Sequence, residues 1–246
     1  MHFLYKISSP SKLKQGIFVL KSLGLKEVYT LEEGGKVLIG GFSDQELKVP
    51  SFLKLILKEA ETINWAQDWE KETLEIPIGS TSFFLKAGPG FGDARHPTTL
   101  LCLKALEKLH PQAVLDIGSG SGILSIGAQK LGVKNVISIE IDDPSISHHR
   151  ENIALNHLEE NLIKKTIDSS DLTVNDQLIL MNMITSEQAQ IFAYTPELLK
   201  VKKKWVVSGI LSEAIEEAIA KYKELGFEIL AIDQLEKWVA ITMEKS

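Results

Sequence analysis

From residue 113 onward, short apolar runs alternate with stretches in which apolar residues recur every three or four positions. The runs 113–117, 135–139, 163–167, 178–181, 205–207, 227–232 and 238–243 predict seven strands, and the stretches 121–131, 143–155, 188–199 and 212–225 predict helices. Such alternation predicts an α/β fold, a doubly wound and mostly parallel sheet with helices on both faces. The last two strands follow one another with no helix between them, so an antiparallel strand is expected at one edge.

The first third has a different rhythm. Residues 2–7 read as a strand. Leu13, Ile17, Leu20 and Leu23 then recur at helical spacing, and Gly24 stops that helix. Residues 27–31 and 36–39 read as a hairpin across Glu32-Glu33-Gly34-Gly35. Leu53, Ile56, Leu57 and Ala60 predict a second helix over 52–63, and 64–69 a last strand. The order β-α-β-β-α-β is a split βαβ unit, a small domain over 1–69. Residues 70–96 read as a charged connector and a glycine- and proline-rich loop, in which 75–77 could start a strand and Phe83 and Phe84 look buried. An irregular segment just ahead of the core sheet is a candidate functional loop. The larger domain, 97–246, opens with a helix over 98–109 that Thr98 or Thr99 could cap. His96 reads as a residue that shapes the loop rather than as a general base.

Charge narrows the partners. A net charge of -6 argues against a broad grip on nucleic acid, and Lys202-Lys203-Lys204 reads as a solvated turn before a strand. The single cysteine, Cys102, sits in an apolar helical pattern and leaves no internal disulfide or cysteine metal cluster. No metal site is expected. There is no charged-then-apolar leader, and no apolar run approaches the roughly 18 residues of a membrane span. A cytoplasmic monomer with no membrane partner is expected.

The candidate chemistry concentrates at residues 113–126. An apolar strand runs into Asp116-x-Gly118-x-Gly120-x-Gly122, and an apolar helical pattern follows. Without Cβ atoms the backbone can take positive φ, a ligand can lie directly on it, and the N–H groups of the next helix face that ligand. A dinucleotide turn wants G-x-G-x-x-G; here the third glycine comes one residue early, with Ile123 in its place. Open α/β sheets bind ligands beyond the carboxyl ends of their strands, and Gly118, Glu140, Asp168 and Asn182 follow the first four strands there. Glu140 lies about 20 residues past the glycines, where an acid accepts hydrogen bonds from ribose hydroxyls and repels a 2′-phosphate. That acid alone leaves a nicotinamide dinucleotide open; the glycine spacing argues against it. Asp168 could meet an adenine amino group, with Ser169, Ser170 and Asp171 competing as helix caps.

The glycine motif resembles the first motif of class I S-adenosylmethionine methyltransferases. Phe91-Gly92-x-x-x-His96-Pro97-Thr98-Thr99 stands just ahead of it. Asn182-Met183-Ile184, Ser208-Gly209-Ile210-Leu211 and Trp238-Val239-Ala240 follow. Together these make the chain from about residue 65 onward similar to the PrmA family, methyltransferases of ribosomal protein L11. The resemblance implies a seven-stranded Rossmann-like methyltransferase sheet behind a ferredoxin-like recognition domain, with S-adenosyl-L-methionine as cofactor. It implies, as substrates, lysine side chains and the N-terminal amine of L11, at the stalk base of the large ribosomal subunit. Carried over by motif, Thr99, Gly118, Glu140 and Asn182 become cofactor contacts, beside Gly120 and Asp168 from the turn and strand-end reading. Asn182 is also the candidate catalytic residue, since its carbonyl can accept an amine hydrogen and orient the nitrogen lone pair.

The chain departs from that family's pattern around the same residues. The family usually continues Phe-Gly-Thr-Gly, whereas Asp93-Ala94-Arg95 follow Gly92 here; Ala94 lacks glycine's freedom and Asp93 adds a negative charge. The second strand ends Glu140-Ile141-Asp142-Asp143-Pro144, one residue longer than usual and with Glu for Asp. Met183-Ile184-Thr185-Ser186-Glu187 replaces the usual Ile-Leu-Ala after Asn182. Two alternatives stay open: methyl transfer to another protein, a nucleic-acid base or a small molecule, and a non-catalytic homologue that docks on the ribosome.

Overall fold

The computed structural model describes residues 2–9, 12–33, 36–59, 73–88, 92, 94–159 and 161–245. The chain divides into two compact units, Met1–Asp68 and Trp69–Ser246.

The first unit contains β1 (His2–Ile7), α1 (Leu13–Ser22), β2 (Lys26–Glu33), β3 (Lys36–Phe42) and β4 (Leu53–Glu59). Its antiparallel sheet has the order β2-β3-β1-β4. Leu20 of α1 packs into a core with Phe3, Tyr5, Ile39 and Leu53, and Gly24, at φ +99°, turns the chain out of the helix. The helix expected over 52–63 is instead β4 where the residues are described. Leu53, Leu55 and Leu57 alternate with Lys54 and Lys58 as well as they fit a helical stripe. The open edge of β1, which β4 pairs, decides between the two periods. The strand expected at 64–69 lies outside the described residues.

The second unit opens with a hairpin, β5 (Thr73–Ile78) and β6 (Thr81–Lys86). Then follow α2 (Pro97–Leu109), β7 (Ala113–Ile117), α3 (Ile123–Lys130), β8 (Asn135–Ile139), α4 (Asp143–Leu155), β9 (Leu162–Lys164), β10 (Gln177–Asn182), α5 (Thr185–Tyr194), β11 (Lys204–Leu211), α6 (Ile215–Glu224), β12 (Phe227–Leu235) and β13 (Trp238–Lys245). The last seven strands form one sheet in the order β12-β13-β11-β10-β7-β8-β9. Every residue of β7 and β10 is buried, as the continuous apolar run of a central parallel strand requires. One face of the sheet packs Val114, Leu180 and Val206 against α2, α3 and the hairpin. The other packs Leu115, Ile179 and Val207 against α5 and α6. There Trp205, fully buried, meets Phe192 and Phe227 at ring-centroid distances of 5.7 and 5.4 Å.

Several expectations are corrected. The antiparallel strand is not at the edge: β13 runs antiparallel between β11 and β12, and β12 is the edge. Val239–Met243 of β13 is buried throughout and apolar but for Thr242, which demands cover on both faces, whereas β12 beyond Phe227 alternates exposed and half-buried. The third strand is shorter than 163–167. The helix expected over 188–199 begins at Thr185 and breaks before Pro196, which disfavours helical geometry in Thr195. Phe83 is buried but Phe84 is exposed, because neighbours on a strand point to opposite sides. Residues 73–86 are also more than a connector. Asn156, the C-cap of α4, accepts from Phe84 N–H at 2.7 Å, and Asn152 of α4 accepts from Lys86 N–H at 2.9 Å.

Ala94, at the position where the resembling family has glycine, takes a φ of +60°. A Cβ in that region costs about 1–2 kcal/mol. Ala94→Gly is therefore expected to stabilise the protein by roughly 1 kcal/mol, net of the methyl it removes. The change is read as a higher urea midpoint with an unchanged slope.

Candidate active site

Three glycines shape the turn between β7 and α3. Gly118, Gly120 and Gly122 have φ of +74°, +54° and +82°, a run that residues with a Cβ adopt only under strain. The turn folds onto β8, with the N–H groups of Gly118 and Ser119 donating to the Ile139 carbonyl at 2.8 and 3.0 Å. Space is as restrictive as φ. A Cβ on Gly122 would fall 1.9 Å from Cδ2 of His149 in α4, and one on Gly118 would fall 2.5 Å from Cε of Met183. The first neighbour is a buried ring. The second is the end of a flexible side chain, which can swing aside for a ligand lying on Gly118.

Glu140, just past β8, is oriented by the backbone. Its Oε2 accepts from Gly120 N–H at 2.9 Å, and its Oε1 accepts from the N–H groups of Ile141 and Asp142 at 2.8 and 3.0 Å. Acceptor capacity remains on Oε2 for a hydroxyl. The extra residue after this strand now has a physical role. Two amides wrap the Glu140 carboxylate, and Asp142 caps α4 by accepting from Ser145 N–H at 2.9 Å.

Asn182 ends β10, in register with Ser208 of β11, and is buried. Thr99 lies in the first turn of α2, one turn before Cys102, whose thiol is pushed up in pKa by burial. The Thr99 hydroxyl and the Asn182 side-chain carbonyl are both buried, and neither has a hydrogen-bond partner among the described residues. An unsatisfied buried polar atom costs about 1–3 kcal/mol. The Asn182 carbonyl, at the carboxyl end of the central strand β10, suits a site that receives a polar ligand.

The cap of α2 is His96, not Thr98 or Thr99. Its Nδ1 accepts from Thr98 N–H at 3.4 Å and lies 2.7 Å from Thr98 Oγ1. The ring packs edge-on against Trp238 at 4.9 Å, so two separated motifs meet here. The loop before α2 is fastened to the glycine turn, with Ser121 Oγ donating to the Gly92 carbonyl at 2.7 Å. Asn152 Nδ2 donates to the Ser121 carbonyl at 3.0 Å. Asp93 lies outside the described residues.

Gly118, Gly120 and Glu140 are therefore in one constellation, and Met183 brings the turn after Asn182 against it. Asp168 is linked to Glu140 through Lys164, whose carbonyl accepts from Glu140 N–H at 2.9 Å. It is exposed at the start of a 3-10 turn, and its carboxylate pairs with Lys164, which also binds Asp171 at 2.7 Å. Sequence reading missed His149. Burial, with charge from His148 and Arg150, lowers its pKa to about 4, so it lies neutral beneath Gly122 with Nδ1 3.1 Å from Ser119 Oγ. The only signal was a polar residue at an inward position of α4. Also missed was a buried chain of donors ending on Asp116. Asn161 Nδ2 donates to Ser138 Oγ at 2.9 Å, Ser138 and Ser125 share a bond of 2.7 Å, and Ser125 Oγ donates to Asp116 Oδ2 at 2.7 Å. Among the described residues no cluster could hold a metal ion, and no helix is long and apolar enough to cross a membrane.

Comparison with known proteins agrees with this geometry. The sequence profile of the family described as ribosomal protein L11 methyltransferase (PrmA) matches residues 70–246. A ribosomal protein L11 methyltransferase from Geotalea daltonii is 31% identical over 210 residues, covering 73% of this chain and 67% of that protein. One from Staphylococcus haemolyticus is 32% identical over 199 residues, covering 76% of this chain and 61% of that protein. The crystal structure of a ribosomal protein L11 methylase from Lactobacillus delbrueckii subsp. bulgaricus superposes with a TM-score of 0.57 at 28% identity. It covers 66% of this chain and 84% of that one.

Burial raises the Asp116 carboxyl to about 6, against the pull of Ser125 and with a further push from Glu140. The folded state thus prefers the protonated acid. This contribution to stability is complete below pH ~4, the unfolded value, and is lost as pH rises through ~6. Asp116→Asn keeps an acceptor for Ser125 and removes the titration. Its stability relative to wild type is expected to improve by about 2–3 kcal/mol between pH 4 and pH 8, measured by denaturant melts across that range.

Proposed function

Because the chain belongs to the ribosomal protein L11 methyltransferase (PrmA) family, we propose that it transfers methyl groups from S-adenosyl-L-methionine to lysine and N-terminal amino groups of L11. The observation that carries this reading is the pairing of a bare glycine turn with a backbone-held acid, Glu140, beside the partnerless carbonyl of Asn182. These residues fit the cofactor. Gly118 and Gly120 offer a surface without side chains, Glu140 Oε2 can take a ribose hydroxyl, and Thr99 offers a buried hydroxyl at the methionine end. The carboxylates of Glu140 and Asp142 suit a cation. Asp168, after β9, would reach the adenine edge on releasing Lys164. The third glycine, one residue early for a dinucleotide turn, favours S-adenosylmethionine, and the acid repels a 2′-phosphate.

When bound, the cofactor supplies an activated methyl on a cationic sulfonium. The chain's residues align a neutral amine with it and keep water out. A lysine, ordinarily near pKa ~10.4, must first give up a proton, which an apolar site encourages. Asn182 Oδ1 then accepts one of the remaining amine hydrogens, and the nitrogen lone pair points along the line of transfer. No dedicated base is needed once the amine arrives neutral. The unit Met1–Asp68, whose α1 leaves Phe18 73% exposed, is proposed to recognise the substrate protein. The catalytic domain is proposed to span 97–246.

Intact-protein mass spectrometry tests the assignment. The enzyme and S-adenosylmethionine are mixed with ribosomal proteins from cells lacking this gene. L11 is expected to gain mass in methylene steps. Cofactor binding without a gain on any ribosomal protein would point to another substrate or to a non-catalytic role. Glu140→Ala is expected to weaken cofactor affinity at least tenfold, about 1.4 kcal/mol, by calorimetry. Asn182→Ala is expected to lower kcat more than cofactor affinity, and unchanged activity in both variants would refute the site.

A further inference from the structure

The turn that carries Asn182 is held by a buried side chain that the chemistry above leaves unused. Gln188, in the first turn of α5, donates through Nε2 to two backbone carbonyls, Met183 at 2.6 Å and Ser208 at 2.8 Å. Its Oε1 accepts from the hydroxyl of Tyr222 in α6. Both amide hydrogens and the amide oxygen are thus in use, and the reversed amide would set oxygen against two carbonyls. Burial pushes the Tyr222 phenol upward in pKa, so it stays a donor. The two clamped carbonyls flank the candidate catalytic amide: Met183 follows Asn182 in the chain, and Ser208 is its partner in the sheet. Gly209 makes room for this approach, because a Cβ there would fall 2.2 Å from the Met183 carbonyl oxygen. Ser208 Oγ extends the tie by donating to the Val239 carbonyl at 2.9 Å, one residue beyond the Trp238 that His96 packs against.

We propose that Gln188 is the positioning residue of the Asn182 turn. Its carboxamide, oriented by Tyr222, clamps the ends of β10 and β11 together and holds Asn182 Oδ1 where an attacking amine needs it. This rests on the reading of Asn182 as the group that orients the amine.

Three variants test it: Gln188→Leu, Gln188→Glu and Tyr222→Phe. In Gln188→Leu, kcat per folded enzyme is expected to fall about 10–100-fold, with cofactor Kd and substrate KM within about threefold of wild type. Tyr222→Phe is expected to lose several-fold, since the amide can still donate but is no longer oriented. In Gln188→Glu, an ionised carboxylate would repel both carbonyls, whereas the protonated acid donates to one. The ratio of Gln188→Glu to wild-type kcat should therefore rise as pH falls, and dividing by wild type cancels the ionisation of the substrate amine. Glu217 and Lys221 of α6, which line the same cleft as Gln188, and the neighbouring Glu187 are common to both proteins. A purely packing role would leave that ratio flat, and a flat ratio with unchanged kcat overturns the proposal. If Gln188→Leu does not fold, the pH ratio and Tyr222→Phe decide.

Amide hydrogen exchange gives a readout that needs no turnover. Residues 183–187 and 208–211 are expected to exchange at least tenfold faster in Gln188→Leu or Tyr222→Phe, and unchanged exchange overturns the clamp. A wild-type protein that shows this protection but methylates no ribosomal protein would support the clamp and sink the functional reading instead.

Discussion

Within residues 118–122 all three glycines hold a left-handed φ and Gly122 has no room for a Cβ, and much of the second unit is arranged around that turn. Strand β8 brings the Ile139 carbonyl to the Gly118 and Ser119 amides. Helix α4 brings His149 beneath Gly122, inside the radius a methyl would occupy. The turn after β10 lays Met183 over Gly118. Even the loop before α2 reaches the same few residues, through Ser121 and Gly92. At Gly122 such a contact multiplies the effect of an added Cβ: a substitution would strain φ and at once push on the His149 ring of α4. The turn is therefore both a ligand platform and a junction in the packing.

The parts of the fold that were legible in sequence are those where one physical demand dominates. Strand β7 and the start of α4 could be placed to the residue. A fully buried central strand reads as an unbroken apolar run, and Asp-Pro at a helix start combines a cap region with a preset φ. Residues 53–59 could not, because their leucines and lysines satisfy both periods and the free edge of β1 makes the choice. Glu140 was legible as a strand-end acid, and its bond to Gly120 agrees with that reading. Nothing in its neighbourhood announced that Ile141 and Asp142 would close over it. Gln188 and His149 were illegible for a different reason. Each is a polar residue that looks like surface until a second element supplies its partner.

Where this chain differs from its family's pattern, the differences compensate locally. The longer strand end at 140–144 supplies the two amides that grip the longer acid. Ala94 keeps the left-handed conformation that glycine would adopt freely, and bears strain to do so.

The position of β13 bears on how the protein is made. It follows β12 in the chain yet lies between β12 and β11. Until residues 238–245 have emerged from the ribosome, both neighbouring strands lack a partner on their facing sides. During that interval the nascent sheet offers open hydrogen-bonding edges beside a large apolar surface, the condition under which chains pair with one another. Closing the gap requires a strand to enter between two others rather than to add at a rim. Entry of β13 is thus the step that joins β12 to the rest of this sheet.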